Sequence, residues 1–380
     1  MTLFDRWSAA LDDLRKQDRF RAFARPRGVD FTSNDYLGYG GGRTPPGFAP
    51  PAADDLPRSG MASRLLRGHH EVWEAVEAGL AEWHGAEAVL MMTSGYAANE
   101  GLLSTVLEPG DWVATDELNH ACIIDGLRLA RCRRYQFRHN DLTHLEDGLR
   151  AEAAKAEPGR ERFVIVESLY SMDGDTARLR EVTEIAGRYG AHVIVDEAHA
   201  TGCFGPGGSG CVDAAGVRDR ILASVHTGGK ALGVPGAYVA GSRLLKDYLI
   251  NRCRHLIFTT ALPAACGAWW LAALPRVRAD DAGRATLHAN AALFRAALGR
   301  RGINPPGGHY VVPVILGDNA PAVRAARRLQ EEGYDVRAIR PPSVPPGTAR
   351  LRISVHADHD PALLERVAAA VGEAVRGSAA

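Results

Sequence analysis

Short apolar runs followed by polar or charged residues recur through the middle of the chain. The clearest are residues 163–166, 192–195 and 221–225, which are rich in Val and Ile. Runs of this kind are typical of strands buried on both faces of a parallel sheet. Ligands bind outside the carboxyl ends of such strands. We therefore expect one edge of the sheet to carry the residues that follow the runs: Glu167, Asp196, His199, Thr227 and Lys230.

Helical patterns alternate with these runs and with further strands. Apolar residues recur at helical spacing over residues 71–84, 145–156 and 179–189, and additional short apolar runs begin at Ala88 and Trp112. Repeated alternation of strand and helix predicts an α/β domain with a large, doubly wound and mainly parallel sheet.

From about residue 282 the pattern changes to helix, strand, helix, two strands and helix, which predicts a smaller α+β domain of about 100 residues. We therefore divide the chain into an N-terminal helix and strand segment (residues 1–45), a large α/β domain (46–281) and a small C-terminal α+β domain (282–380). The Gly- and Pro-rich residues 38–60 are predicted to be a linker. The amphipathic helix over residues 3–14 is expected to dock on the body of the protein or on a second subunit.

Composition and charge exclude several classes of protein. Lys plus Arg and Asp plus Glu both number 45, so the net charge gives no reason to expect nucleic acid or membrane partners. The longest apolar run, residues 264–274, is shorter than the about 20 residues that a membrane helix requires. The chain starts with an amphipathic pattern instead of a signal core, and its six cysteines form no C-x-x-C pair, so we expect a cytoplasmic protein. We predict no metal site, because His69 and His70 lack a third ligand at helical spacing.

Four arginines follow the first helix, at positions Arg19, Arg21, Arg25 and Arg27. A solvated surface is the favoured interpretation of this segment, since exposed arginines are the rule. A contact between one of them and a carboxylate is the alternative.

Lys230 and Asp196 are the first candidates for catalysis. Lys230 follows a strand and is flanked by glycines at 228, 229 and 233, which let a ligand or the backbone come close. Partial burial would lower the pKa of the lysine toward a free amine, as a Schiff base requires. An aspartate at the end of the preceding strand can pair with a protonated pyridine nitrogen. The two residues suggest pyridoxal phosphate; a lysine in a loop and an aspartate that caps a helix fit this spacing equally well.

Two further stretches bear on the cofactor. Ser94, Gly95 and Tyr96 follow a buried strand at the predicted start of a helix, where free N–H groups and the helix dipole favour a phosphate. An ordinary helix N-cap would use the same residues. His120 follows a strand end, so it could stack on a planar cofactor; a lone histidine is more often structural.

Several ordered motifs together resemble the α-oxoamine synthases, which are fold-type I pyridoxal phosphate enzymes. The motifs are Asn34–Gly38, Thr93–Asn99, Ser171–Asp175, Asp196–Gly202 and Thr227–Gly236. The similarity extends from the first helix to the last strand, and the set is much more specific than any one motif. It implies an enzyme that condenses an amino acid with an acyl thioester and releases CO2.

The resemblance also implies roles for individual residues. Lys230 would form the Schiff base and move protons at the substrate α-carbon, Asp196 would hold the pyridinium nitrogen, and His120 would stack on the ring. The other implied cofactor contacts are Gly95, Tyr96, Ser171, His199, Thr227 and Thr260. The implied substrate contacts are Arg340, which would take the amino-acid carboxylate, Arg21, Ser343, Asn34 and His120. His120 and Glu167 complete the implied catalytic set, and Glu167 and Asn34 would line the pocket. Thr259 and Thr260 would reach the phosphate of a neighbouring subunit, which implies a homodimer with shared sites.

Two stretches narrow the resemblance. Arg138–His144 and Ala338–Arg352 are most similar to the branch that uses L-alanine and a pimeloyl thioester, carried by CoA or by a carrier protein, in biotin biosynthesis. A glycine C-acetyltransferase or a natural-product synthase of the same family is the alternative, and an aminotransferase ranks behind it. Ala200, Ser209 and residues 59–64 depart from the family pattern in loops that could line the acyl channel.

Overall fold

The computed structural model describes residues 1–43, 55–155 and 159–378, and the chain forms two compact units. We call Met1–Tyr36, Ser171–Asp175 and Ala285–Ala380 the small unit, and Leu37–Tyr170 and Thr176–Arg284 the large unit. The predicted boundary between residues 45 and 46 lies outside the described residues, as does much of the predicted linker over residues 38–60. The predicted domain limits therefore stay a prediction.

The strands and helices follow the predicted alternation. In chain order the strands are β1 (Val29–Asp30), β2 (Ala88–Met92), β3 (Trp112–Asp116), β4 (Arg133–Phe137), β5 (Arg162–Glu167), β6 (His192–Asp196), β7 (Ala223–Thr227), β8 (Ala237–Gly241), β9 (Val311–Gly317), β10 (Tyr334–Asp335), β11 (Arg337–Ile339) and β12 (Ala349–Ser354). The helices are α1 (Leu3–Lys16), α2 (Glu71–His84), α3 (Gly95–Val106), α4 (Ala121–Ala130), α5 (Leu142–Ala153), α6 (Leu179–Arg188), α7 (Cys211–Ala215), α8 (Arg243–Arg252), α9 (Arg254–Ile257), α10 (Ala264–Ala279), α11 (Asp281–Gly299), α12 (Asn319–Glu331) and α13 (Pro361–Ser378).

A seven-stranded sheet in the order β2-β8-β7-β6-β5-β3-β4 is the centre of the large unit. Strand β8 runs antiparallel to both of its neighbours, and the other pairs are parallel. The predicted mainly parallel sheet is thus confirmed. Strands β4 and β8 were not among the predicted strands; β4 lies at an edge and alternates Arg, Tyr and Gln, so it lacks the continuous apolar run of a central strand.

Both faces of this sheet are covered by apolar side chains. Phe163 and Ile165 of β5 belong to one buried cluster with residues of α3 and α4. Val164 and Val166 of the same strand belong to a second cluster with residues of α5 and α6. Because successive strand residues point to opposite faces, a strand buried on both sides must be apolar throughout. The run of Val and Ile over residues 163–166 has this physical origin.

The small unit contains an antiparallel sheet in the order β11-β12-β9. Helix α12 packs on its strands and on α13. Strand β1 pairs in parallel with β10, so that Val29 lies beside Tyr334 and Asp30 beside Asp335. The predicted α+β character of the C-terminal part is confirmed.

Two features of the small unit differ from what the sequence pattern suggests. The helix over residues 3–14 was expected to dock on the body of the protein or on a second subunit, but α1 buries none of its residues, and the side chains of Phe4 and Trp7 are 73% and 55% exposed. Within the described residues α1 therefore buries no side chain on the body of the protein, and docking on a second subunit stays a prediction. Residues 334–339, the first of the two strands predicted after the helix that ends near residue 332, form two separate strands, since β10 pairs with β1 and β11 pairs with β12.

None of the helices in the described ranges has both the length and the apolar character that a membrane crossing requires.

Candidate active site

The carboxyl ends of β5, β6 and β7 bring predicted site residues side by side. Glu167 ends β5 and lies opposite Asp196, which ends β6. Asp196 in turn lies opposite Val225, two residues before Thr227 at the end of β7. All three polar side chains are buried. The sheet therefore gathers Glu167, Asp196 and Thr227 at one edge, as the strand pattern predicts.

Two hydrogen bonds fix the orientation of the Asp196 carboxylate. Its Oδ2 accepts a hydrogen bond of 2.8 Å from the Asn99 side chain, and its Oδ1 accepts one of 2.8 Å from the Ala198 N–H. Asn99 is itself buried on α3. Asn99 is the last residue of the motif Thr93–Asn99, but the sequence alone predicts no role for it. The signal was available, because Asn99 lies four residues after Gly95 and so on the same face of the helix.

Lys230 contacts a second predicted residue. Its Nζ lies 2.9 Å from Nε2 of His199, and His199 is buried three residues after the end of β6. Two of the neighbouring glycines, Gly228 and Gly233, are required by the backbone here. A Cβ on Gly228 would overlap the ring of Trp270 and the Val234 carbonyl oxygen, and Gly233 has a φ of 65°. Glycine at these positions lets the loop fold tightly and present the amine.

The amino end of α3 has the features of an anion site. Ser94 caps the helix by accepting a hydrogen bond of 3.2 Å from the Ala97 N–H. Within the described parts of the chain, the N–H groups of Gly95 and Tyr96 have no hydrogen-bond partner. Unpaired N–H groups at a helix start favour a phosphate. Both the predicted N-cap and the predicted anion site are thus compatible with one geometry.

His120 caps α4 with its own ring. Its Nδ1 accepts a hydrogen bond of 3.3 Å from the Cys122 N–H, which leaves the proton of the neutral ring on Nε2. Burial lowers the pKa of His120, although Asp196 opposes the shift. A neutral, partly buried imidazole suits stacking on a flat aromatic ring better than a hydrated cation does.

Tyr96 stands beside that ring. The two rings meet edge to face with centroids 6.3 Å apart. The Tyr96 hydroxyl donates to the Asp125 carboxylate, and this bond raises the pKa of Tyr96 to about 12. Tyr96 is therefore neutral and held in place near the start of α3.

The predicted substrate residues lie in the small unit. Arg21 donates a hydrogen bond of 3.3 Å to the Ser343 hydroxyl, and Arg340 donates to the Asp18 carbonyl oxygen. Partial burial, followed by repulsion from Arg21, lowers the pKa of Arg340. These contacts bring the segment after α1 to the loop after β11.

Asn34 and Ser171 meet at another arginine of the small unit. Arg352 donates to the Asn34 side-chain oxygen at 3.0 Å and to the Ser171 carbonyl oxygen at 2.6 Å. Arg352 ends the stretch Ala338–Arg352, and the sequence alone predicts no role for it. In the structure it positions both Asn34 and Ser171. Thr260, the predicted contact to a neighbouring subunit, is exposed after α9.

A buried polar chain supports the turn that follows Asp196. Arg218 donates to Ser224 at 2.6 Å, Ser224 lies 2.8 Å from Nε2 of His226, and Nδ1 of His226 lies 2.8 Å from the Thr201 hydroxyl. Thr201 donates at 2.8 Å to the carbonyl oxygen of Glu197. Sequence reasoning missed this chain, since its members are ordinary polar residues scattered over one strand and two connecting segments.

The Glu197 side chain adds a second buried carboxyl next to Asp196. It is fully buried and accepts hydrogen bonds from the N–H groups of Cys211 and Val212, at 3.0 and 3.2 Å. Burial raises the pKa of Glu197 to about 7. A Cβ on Gly210 would overlap this carboxylate. The loop before α7 is thus tied to the site through Glu197.

One cluster has the spacing of metal ligands. The nitrogen or oxygen atoms of His356, Asp358 and His359 lie within 4.8 Å of one another. Both ring nitrogens of His359 are already engaged, one with the His356 N–H at 3.1 Å and the other with the Asp30 carbonyl oxygen at 2.9 Å. We therefore interpret the pair of histidines as a structural clasp on the segment after β1.

Comparison with known proteins places the chain in a family. Residues 26–371 match the aminotransferase class I and II family. The chain is 43% identical over 347 residues to the 8-amino-7-oxononanoate synthase of Anaeromyxobacter dehalogenans strain 2CP-1, covering 90% of this chain and 85% of the relative. It is 42% identical over 338 residues to the 8-amino-7-oxononanoate synthase of Chlorobaculum parvum, covering 87% of this chain and 85% of the relative.

Solved structures agree on the fold. A serine palmitoyltransferase from Sphingomonas wittichii matches with a TM-score of 0.85 at 30% identity, covering 93% of this chain and 88% of that chain. An SPT with PLP matches with a TM-score of 0.87 at 27% identity over 100% of both chains, which confirms the predicted fold-type I architecture. The 8-amino-7-oxononanoate synthase from Francisella tularensis shares the fold at 24% identity, with a TM-score of 0.75 and coverage of 93% and 99%. The chain therefore belongs to the family of the 8-amino-7-oxononanoate synthases, within aminotransferase class I and II.

Proposed function

We propose that this protein condenses L-alanine with a pimeloyl thioester to give 8-amino-7-oxononanoate, CO2 and a free thiol, as an acyltransferase of biotin biosynthesis. The observation that carries the proposal is the group of Lys230, His199 and Asp196 around one strand end, in a chain that is 43% identical to a synthase named for this product.

The residues of the large unit fit pyridoxal phosphate as the cofactor. Asp196 is a carboxylate held by Asn99, so it would accept a hydrogen bond from the pyridine nitrogen. Lys230 would supply the amine for the aldehyde, and the ring of His120 would pack on the pyridine. The unpaired N–H groups at the start of α3 would bind the phosphate. The pyridine nitrogen, the aldehyde, the ring and the phosphate thus each have a matching group.

The chain's own residues then carry the proton transfers. When bound, the cofactor supplies an electron-withdrawing ring that spreads the negative charge formed at the α-carbon of the amino acid. Lys230 removes the α-proton of L-alanine and returns a proton to that carbon after CO2 has left. Asp196 would hold the proton on the pyridine nitrogen when the cofactor is bound. The new C–C bond joins the α-carbon to the thioester carbonyl carbon, and the thiol leaves with the electron pair of the broken C–S bond.

Arginines of the small unit bind the carboxylates of the substrates. Arg340 would take the carboxylate of L-alanine, a task that suits the planar guanidinium with its paired N–H donors. Arg21 and Ser343, which already contact each other, would touch the acyl substrate. Asn34 and Glu167 would line the pocket.

A product assay tests the proposal. The protein loaded with pyridoxal phosphate is incubated with L-alanine and pimeloyl-CoA, and the product is identified by mass spectrometry together with the released thiol and CO2. We expect 8-amino-7-oxononanoate as the main product. Parallel reactions with glycine and acetyl-CoA, and with L-serine and palmitoyl-CoA, test the related synthases. Faster turnover in either of these, or amino-group transfer without thiol release, would overturn the proposal.

We also propose that the protein is a cytoplasmic homodimer. The exposed apolar residues of α1 and the exposed Phe258, which is 70% accessible beside Thr259 and Thr260, support a subunit interface. All six cysteines are free thiols, as in a reducing compartment. Light scattering gives the mass in solution; a monomer at micromolar concentration would contradict the dimer.

A further inference from the structure

A groove on the small unit is lined by arginines. Its lining consists of Ala24, Arg25, Arg27, Arg327, Gln330, Glu331, Asp335 and Arg337, and its volume is about 450 Å³. We call it the arginine groove. One side is the segment between α1 and β1, and the other is the end of α12 with the strands that follow it.

The arginine groove has an excess of positive charge, unlike two other grooves in the described parts of the chain. It holds four guanidinium groups and two carboxylates, although the whole chain carries 45 basic and 45 acidic residues. A groove near the start of α2 sets Arg64, His69, Arg243 and Lys246 against Glu74, Glu77 and Glu87, and there Arg64 and Lys246 are both paired with Glu77. A groove beside β7 has Arg218 with Glu87 and Asp219.

The two carboxylates neutralise only part of this charge. Asp335 is buried and binds Arg337, with 2.7 Å between Oδ1 and Nε. Among the described residues, Arg25, Arg27 and Arg327 form no ion pair, and Glu331 is the remaining acid of the groove. Guanidinium groups held close together without counterions repel one another, so an anion that binds between them is stabilised.

The frame of the groove is built before any ligand binds. The Val29 N–H donates a hydrogen bond of 2.9 Å to the Gly333 carbonyl oxygen. Gly28 has a φ of 76°, and a Cβ there would overlap that same oxygen. The Gln330 side chain donates at 2.7 Å to the Val336 carbonyl oxygen. These contacts hold the backbone beside Arg27 against the end of α12, so the arginines face a preformed gap.

We propose that the arginine groove binds the phosphate groups of coenzyme A in the acyl donor. This inference rests on the proposed function, which requires an acyl thioester. Arginine binds phosphate through two parallel N–H donors and is the preferred side chain for this purpose. A volume of about 450 Å³ lies in the range of small-molecule sites, about 300 to 1,000 Å³. Arg25 follows Arg21 by four residues, a distance of at most about 14 Å along an extended chain, so the groove is near a proposed substrate contact.

Two acyl donors separate phosphate recognition from recognition of the acyl chain. Pimeloyl-CoA carries the nucleotide phosphates, whereas pimeloyl-pantetheine presents the same thioester without any phosphate. For Arg25→Glu and Arg327→Glu we expect the KM for pimeloyl-CoA to rise about tenfold or more, since a charged hydrogen bond is worth roughly one such factor. We expect the KM for pimeloyl-pantetheine and kcat with either donor to stay within about twofold. The matched control is Arg366→Glu, an exposed arginine on α13 of the same unit.

Direct binding keeps the test independent of turnover. Calorimetry measures the affinity of the holoenzyme for adenosine 3′,5′-bisphosphate, and we expect Arg327→Glu to weaken it about tenfold while Arg366→Glu leaves it unchanged. Loss of this affinity supports the groove even if the product assay fails. Equal KM changes for both donors, or equal effects of Arg327→Glu and Arg366→Glu, overturn the proposal. So does a variant that slows turnover of a pimeloyl carrier protein but binds pimeloyl-CoA normally, because the groove would then recognise an acidic protein surface.

Discussion

The polar residues of the two units differ in how they are satisfied. In the large unit, Asp196 and Asn99 are buried and bonded to each other at 2.8 Å, and Lys230 meets His199 at 2.9 Å. In the small unit, Arg21 is exposed and its hydroxyl partner lies 3.3 Å away. Buried polar groups are costly without partners, whereas exposed ones are solvated by water. The preformed contacts of Asp196 and Lys230 suit a resident cofactor, whereas the exposed Arg21 is the kind of group that the proposed function assigns to a charged substrate.

In the large unit, replacing Lys230 should reduce kcat more than any other substitution. Lys230→Ala removes the amine that binds the cofactor and moves the α-proton, so we expect kcat to fall on the order of 10³-fold or more. The visible absorbance of the bound cofactor should change at the same time. Lys155→Ala, whose side chain is 53% exposed just after α5 in the same unit, is the control. Retention of more than a tenth of the activity would contradict the role of Lys230.

Replacing Asp196 tests whether exchange of the α-proton depends on the negative charge of this carboxylate. Asp196→Asn keeps the shape but removes the negative charge, so we expect about a 100-fold slower exchange of the α-proton of L-alanine with deuterated water. Asn99→Ala leaves the charge and removes only one hydrogen bond, and we expect a loss of about tenfold. Exchange followed by NMR measures both. If Asn99→Ala slowed exchange more than Asp196→Asn, orientation would outweigh charge.

Replacing Arg340 tests whether the small unit binds the amino-acid substrate and not the cofactor. Arg340→Met removes the cation proposed to bind the carboxylate of L-alanine, and we expect the KM for L-alanine to rise about 10- to 100-fold while cofactor binding is unchanged. Arg340→Lys should recover part of the loss, because it restores the charge without the paired donors. Steady-state kinetics at several alanine concentrations measure the change. Weakened cofactor binding in Arg340→Met would break the distinction between the two units.

The same comparison explains how far the sequence could lead. Glu167, Asp196 and Thr227 were predicted to share an edge because each ends a Val- and Ile-rich run, and a parallel sheet aligns such ends. Strand β8 lacked this signal, since it is antiparallel and follows β7 by a short connection.

Helical spacing places Asn99 on the same face as Gly95, but the atoms that bind each other across distant segments could not be predicted. Asn99 is 97 residues from Asp196 in the chain, and Arg352 is 318 residues from Asn34. No local periodicity records such contacts. The motifs located these residues, and only the three-dimensional structure showed which atoms they bind.

The smallest effect that we expect is a change in the pH dependence of the free energy of unfolding, caused by Glu197. Its pKa is raised by burial from 4.5 to about 7, so the folded protein retains a proton that the unfolded chain has lost. The resulting stabilisation is complete below pH 4.5 and disappears as the pH rises through 7, a change of about 3 kcal/mol at most. Glu197→Gln cannot titrate, so we expect wild type to lose stability relative to this variant between pH 5 and pH 8.

Denaturant unfolding of wild type and Glu197→Gln as holoproteins at a series of pH values measures that difference in stability. Contributions from titratable groups that both proteins share cancel in the difference. Glu184→Gln, whose carboxylate is 60% exposed on α6 of the same unit, is the control and should show no such pH dependence. A difference between wild type and Glu197→Gln that stays constant from pH 5 to pH 8 would mean that Glu197 is ionised throughout. The hydrogen bonds from Cys211 and Val212 would then stabilise the carboxylate enough to offset its burial.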